Sequence, residues 1–172
     1  PEMQIYLSRW DYSWFMAADR EGFSRLRWRR APKNVHYLLD DALPFGACHH
    51  QKVVVIDDEI AFCGGMDIAL KRWDRRQHHP VSKARHDPGG AYAPHTHQHY
   101  APYHDVQMLV SGPIVAGLAA LARERWHAAS GKAAVPPRVP ETKGLPGSWP
   151  PNLKPDFTDA PVALSLTLPP YR

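Results

Sequence analysis

The segment Lys52-Val53-Val54-Val55-Ile56 constrains the fold of this chain most. β-branched side chains are stiff in a helix and fit a pleated surface. An unbroken run of them predicts a short strand buried on both faces. Asp57-Asp58-Glu59 follows as a polar turn, and Ile60–Cys63 returns as a second short strand. Gly64-Gly65 then breaks the pattern, with Asp67 just beyond. His49-His50-Gln51 stands at the mouth of the first strand. Side chains at i and i+2 of an extended segment share a face, so His50 and Lys52 can converge on one ligand. An imidazole beside a fixed ammonium suits chemistry on a phosphate ester.

The rest of the chain alternates strands with helices. Met3–Leu7 and Asn34–Leu39 read as strands, and Trp14–Arg29 as a helix whose C-terminal end is basic, with Arg25, Arg27, Arg29 and Arg30. Asp40–Gly46 is a loop leading into the His50 segment. Asp67–Trp73 begins a helix or an ordered loop, and Arg75–Tyr103 is a long surface loop rich in His, Pro and Gly. Val106–Val110 is a further strand. Pro113 suits the first position of a helix, Ile114, Leu118, Leu121, Ala122 and Trp126 keep its apolar stripe, and Gly131 closes it. The pattern predicts an α/β fold, a layered mixed sheet flanked by helices, over residues 1–132. Residues 133–172 form a Pro-rich linker, Ala133–Pro155, and a last strand, Ala160–Leu168, alternating at Val162, Leu164 and Leu166.

Composition narrows the function classes. Of 172 residues, 44% are apolar and 22% charged, as in a soluble globular domain with a real core. No apolar run approaches the roughly 20 residues that span a bilayer. A net charge of +4 suits anionic partners, lipid head groups or nucleic acid, only weakly. Cys48 and Cys63 lack zinc-type spacing and are expected to be two buried thiols. The histidines at 78, 79, 86, 95, 97, 99 and 104 invite a metal, but no convergence of ligands is evident, and all but His104 are expected to be solvated loop residues. His104, just before a strand, is expected near the site.

His50-x-Lys52-x4-Asp57-x6-Gly64-Gly65 resembles the HKD signature of the phospholipase D superfamily. The flanks match too. Gly64-Gly65-Met66-Asp67 with Arg72-Trp73-Asp74 is similar to the GGxD…RWD block of the eukaryotic-type enzymes and their bacterial relatives. Pro102-Tyr103-His104-Asp105-Val106 resembles their P-W-H-D segment with tyrosine for tryptophan, and Arg125-Trp126 the end of the following helix. The resemblance covers residues 3 to 131 and implies one half of the two-lobed phospholipase D fold. It implies a phosphodiesterase that hydrolyses glycerophospholipid, such as phosphatidylcholine, to phosphatidic acid through a phosphohistidine, without metal or cofactor. His50 would be the catalytic histidine, Lys52 the phosphate ligand and Asp74 the acid orienting the imidazole. Asp57 completes the catalytic signature in a structural capacity. Gly65, Asp67 and His104 would line the substrate site with Lys52; an acid at 67 needs a hydrogen-bond partner there.

One departure matters. No second His-x-Lys-x4-Asp occurs in the chain, and His95-Thr96-His97-Gln98-His99 has no lysine at the matching place. The chain therefore supplies half an active site. Either it is the N-terminal half of a two-motif enzyme, cut at both ends, or two copies combine. The flanks, the absence of an initial methionine and the similarity of Leu164–Pro170 to the strand preceding a second half favour the former. Expected partners are a phospholipid membrane surface and a second HKD half; nucleic acid is not expected. Location is read as cytoplasmic or peripheral to a membrane. A cardiolipin-synthase-like phosphatidyltransferase, a homodimeric nuclease-like member and a non-catalytic fragment are the alternatives.

Overall fold

A computed structural model describes residues 3–10, 31–40, 42–44, 47–68, 71–86, 99–137 and 149–167. Strands β1 (Ile5–Trp10) and β2 (Val35–Asp40) pair in parallel, from Ile5↔Val35 to Trp10↔Asp40. Strands β3 (Lys52–Ile56), β4 (Ile60–Gly64) and β5 (Gln107–Ser111) form an antiparallel sheet in that order. Helix α1 (Ile114–Ser130) packs against β2 and all three strands of the second sheet. The mixed α/β class is as the sequence predicts. The helix expected over Trp14–Arg29 lies outside the described residues.

The β3–β4 hairpin turns through Asp57 and Asp58, both in the left-handed region at φ 52° and 58°, with the Glu59 N–H donating to Ile56 O at 3.0 Å. Two positive φ angles in succession match the strand twist, and aspartate tolerates them better than bulkier residues. The turn is tied down from above: Arg123 Nη1 of α1 donates to both Asp58 carboxylate oxygens at 2.9 Å.

The core lies between one face of this sheet and the helix. Ala61, Val115 and Leu118 are its centre, with Val53, Val55, Cys63, Val110 and Ile114 packed around them. The opposite sheet face carries Val54, Phe62 and Leu109 in register, each half-buried. β3 is half-buried from Lys52 to Val55 and exposed at Ile56, and so is not buried on both faces as its sequence suggested. The buried face of α1 is Val115, Leu118, Ala119, Leu121 and Trp126; Ala122 is exposed, so the stripe is rotated slightly from the one read off the sequence. Gly131 ends the helix at φ 68°, its N–H donating to His127 O at 2.8 Å. Trp126 meets Tyr6 of β1 edge-on at 5.1 Å, linking the helix to the first sheet.

Three further expectations change. Residues 161–167 form no strand, having no ladder partner among the described residues; Leu164 instead lies over Gly117 of α1. Cys48 is exposed and Cys63 half-buried, so they are not two buried thiols. The described part of the 75–103 loop is organised around a fully buried Arg85, with an isolated bridge between His86 and His99. Among the described residues no helix is long and apolar enough to cross a membrane.

Candidate active site

His50 and Lys52 stand where the chain enters β3. His50 is exposed, and its carbonyl accepts a hydrogen bond from Lys52 Nζ at 2.9 Å. The same ammonium lies 3.4 Å from Asp67 Oδ1, with Lys52 only 12% exposed. Asp67 Oδ2 faces Arg72 Nε at 3.7 Å, so the acid at 67 has the cationic partners its position requires. The Arg72 guanidinium covers the Tyr103 ring at 4.6 Å, and the Tyr103 hydroxyl donates to Asp105 at 3.1 Å. A cavity of about 440 Å³ opens beside the pair, and its lining includes His50, Lys52 and Arg125 together with Leu118, Leu121 and Leu166. A lining that mixes cationic and apolar side chains suits an amphiphilic anion.

The glycine pair has a packing role. A Cβ on Gly64 would fall 2.4 Å from Val106 O, and one on Gly65 2.1 Å from Asp105 Oδ1. The Gly65 N–H already donates to Val106 O at 3.0 Å. Gly65 therefore makes room for the Asp105 carboxylate, and its amide is taken by Val106 O. Asp57 sits in the turn at the far end of β3 from His50. Five residues of strand span about 17 Å, too far for the two to share a ligand. Its place in the turn agrees with the structural part expected of it within the signature.

Asp74 is the larger correction. Its carboxylate is 5% exposed and accepts four hydrogen bonds: Oδ1 from Arg85 Nη1 (2.6 Å) and the Arg75 N–H (2.8 Å), Oδ2 from the Tyr103 N–H (3.1 Å) and His78 Nδ1 (2.9 Å). Burial pushes its pKa up, but these bonds, led by Arg85 and His78, outweigh it and hold the carboxyl far below the usual range. Four donors saturate a carboxylate. The imidazole it orients is that of His78, not His50. His78 in turn meets His104, Nε2 to Nδ1 at 3.2 Å, with the rings 4.8 Å apart.

A second acid went unread in the sequence. Asp40, 1% exposed at the end of β2, accepts from Arg125 Nη2 at 2.9 Å and pairs with His49 Nε2 at 3.1 Å. Arg125 also holds Gln51. The residues on either side of His50 are thus pinned to α1 and β2 while His50 itself stays open. Burial lowers the pKa of His49 and Arg125 lowers it further, against the opposing pull of Asp40. Asp40 and His49 are separated by a loop, and only the Arg125-Trp126 ending hinted at the third member.

The family model described as Phospholipase D matches residues 26–144, well over half of the chain, including His50, Lys52, Asp67 and Asp74. The chain belongs to the phospholipase D family. Among curated relatives, it is 32% identical over 100 residues to Phospholipase D of Phytophthora infestans, covering 46% of this chain and 6% of that protein. It is 29% identical over 113 residues to Phospholipase D B of Dictyostelium discoideum, covering 55% and 9%, and 53% identical over 30 residues to human Phospholipase D1, covering 17% and 3%. The matched stretch is thus under a tenth of each of these relatives. Among the described residues, no three His, Cys, Asp or Glu side chains converge as metal ligands would.

Proposed function

We propose that this chain supplies the first lobe of a phosphodiesterase acting on glycerophospholipid, with His50 as nucleophile. The pairing of exposed His50 with an ammonium already aimed by Asp67 and by the His50 carbonyl supports this reading most strongly. A neutral His50 ring nitrogen forms a bond to phosphorus while the bond to the head-group oxygen breaks. Lys52 neutralises the non-bridging oxygens as charge builds on them. The departing oxygen takes a proton from a general acid in a second HKD lobe. Water then attacks, its proton passing to that same group, and the phosphorus–nitrogen bond breaks to release phosphatidic acid. The second lobe lies elsewhere in a longer chain or in a second copy. The apolar wall of Leu118, Leu121 and Leu166 suits the glycerol and acyl roots of a lipid at a membrane surface.

The test uses the full-length protein containing this segment and phosphatidylcholine vesicles. Choline release is expected, and His50→Ala should lower it by about a thousandfold or more, the scale of losing a catalytic nucleophile. Retained turnover in that variant would remove His50 from the mechanism. Adding a primary alcohol separates hydrolysis from phosphatidyl transfer by the product formed.

A further inference from the structure

The loop between Trp73 and Tyr103 carries a second chemical constellation that uses no contact with His50 or Lys52. Asp74 is ionised and can only accept, so His78 Nδ1, 2.9 Å from Oδ2, carries a proton. A neutral imidazole has one N–H. With His78 neutral, its Nε2 is a lone pair, and the His104 Nδ1 that faces it at 3.2 Å is the donor. His104 Nε2 is left bare on an exposed side chain. One acid dictates both tautomers.

The set is rigidly built. Arg85, 1% exposed, donates to Asp74 and to the carbonyls of His79 and Pro80, the two residues after His78. His78 itself is held in the left-handed region at φ 46°, an unusual conformation for a non-glycine residue. The Tyr103 N–H anchors the segment bearing His104 to the same Asp74 oxygen that holds His78. The charged groups against the set are Asp74, Arg85 and Arg75, with Arg72 and Asp105 on the far side of Tyr103.

We infer that Asp74, His78 and His104 form a proton relay whose outward end, Nε2 of His104, takes the proton of a hydroxylic ligand, water or an alcohol. As the ligand O–H gives its proton to Nε2, the Nδ1 proton of His104 passes to Nε2 of His78. The ligand oxygen gains nucleophilic character as its proton leaves, and the positive charge rests on His78 facing Asp74. Arg85 keeps Asp74 ionised, so the proton stops on His78. Every hydrogen bond of the set survives the transfer, which therefore needs no rearrangement of the loop. This lobe then holds a base of its own, separate from the nucleophile.

Acylation by diethyl pyrocarbonate tests the relay without any phosphodiester substrate, so its outcome is independent of the function proposed above. Peptide mass mapping of the full-length protein gives the rate at each histidine. His104 should react at least about fivefold faster than exposed His79 and His86, because its contact with His78 fixes Nε2 as the outward lone pair. Asp74→Asn and His78→Phe should bring it down to their rate. Asp74→Asn removes the partner of buried Arg85 and can unfold the loop; His78→Phe leaves that pair intact and keeps a ring beside His104. A His104 no faster than His79 and His86, or one indifferent to His78→Phe, would overturn the relay.

Discussion

The ammonium of Lys52 and the carboxylate of Asp67 stand 3.4 Å apart, and Lys52, the expected phosphate ligand, also lines the cavity. The pair aims the lysine but also neutralises it. An incoming phosphate must compete with Asp67, and Arg72 shares the burden by facing the other carboxylate oxygen. Asp67, the second residue beyond the glycine pair, is thus a rival of the proposed phosphate that also fixes Lys52 in place.

Asp67→Asn should therefore tighten binding of inorganic phosphate. A partly exposed pair of this kind is worth about 1 kcal/mol, so the dissociation constant should fall by roughly fivefold at low salt and less at high salt. Calorimetric titration at two ionic strengths measures both effects. Weaker phosphate binding in the variant would mean that Asp67 serves chiefly to aim Lys52.

The glycine pair should respond unequally to a methyl group. At Gly64 the added Cβ meets backbone, Val106 O at 2.4 Å, which cannot turn aside. At Gly65 it meets the Asp105 carboxylate, a side chain that can rotate. Gly64→Ala should cost about 3 kcal/mol or more and Gly65→Ala about 1–2 kcal/mol, read from urea midpoints. Gly65→Ala combined with Asp105→Ala should recover part of the loss. Equal costs would show that Asp105 is as immobile as the strand.

Local rules made some of this legible. The Lys52–Ile56 run, the polar hairpin turn and Gly131 at the helix end all follow from neighbours in sequence. What escaped was set by long-range contacts. Asp74 and His78 are four apart, but which histidine Asp74 would hold depended on Arg85 and Tyr103 closing around it. Asp40 meets His49 only because α1 brings Arg125 between β2 and the approach to β3. Alternation at Val162, Leu164 and Leu166 promised a strand, yet alternation sets only which side chains share a face. Without a paired edge, Leu164 packs on the helix instead.

Arg123 and Asp58 offer a modest stability test. Their bond joins the hairpin tip to α1, but the side chains are 35% and 29% exposed, so water screens much of the attraction. Arg123→Ala or Asp58→Ala should each cost about 0.5–1 kcal/mol, and a double-mutant cycle should return a coupling of similar size. A vanishing coupling would leave the left-handed turn to hold the hairpin by itself.

Two acid limbs should appear in the stability of the protein, from different residues. Both His49 and Asp74 have folded pKa values below their ordinary values of 6.5 and 3.8. A depressed folded value means that the unfolded chain binds the proton more readily. Stability is then complete above the ordinary value and is lost as pH falls below it toward the folded one. For His49 the loss begins below about pH 6.5, because protonation puts a charge in a buried place beside Arg125. For Asp74 it begins below about pH 4, as its bonds to Arg85 and His78 are given up. Urea midpoints at intervals from pH 7.5 to 3 should show both declines. His49→Asn should flatten the upper limb and leave the lower, whereas Asp74→Asn should flatten the lower alone. If His49→Asn left the upper limb unchanged, its cause would lie with another histidine and not with the Asp40–Arg125 cluster.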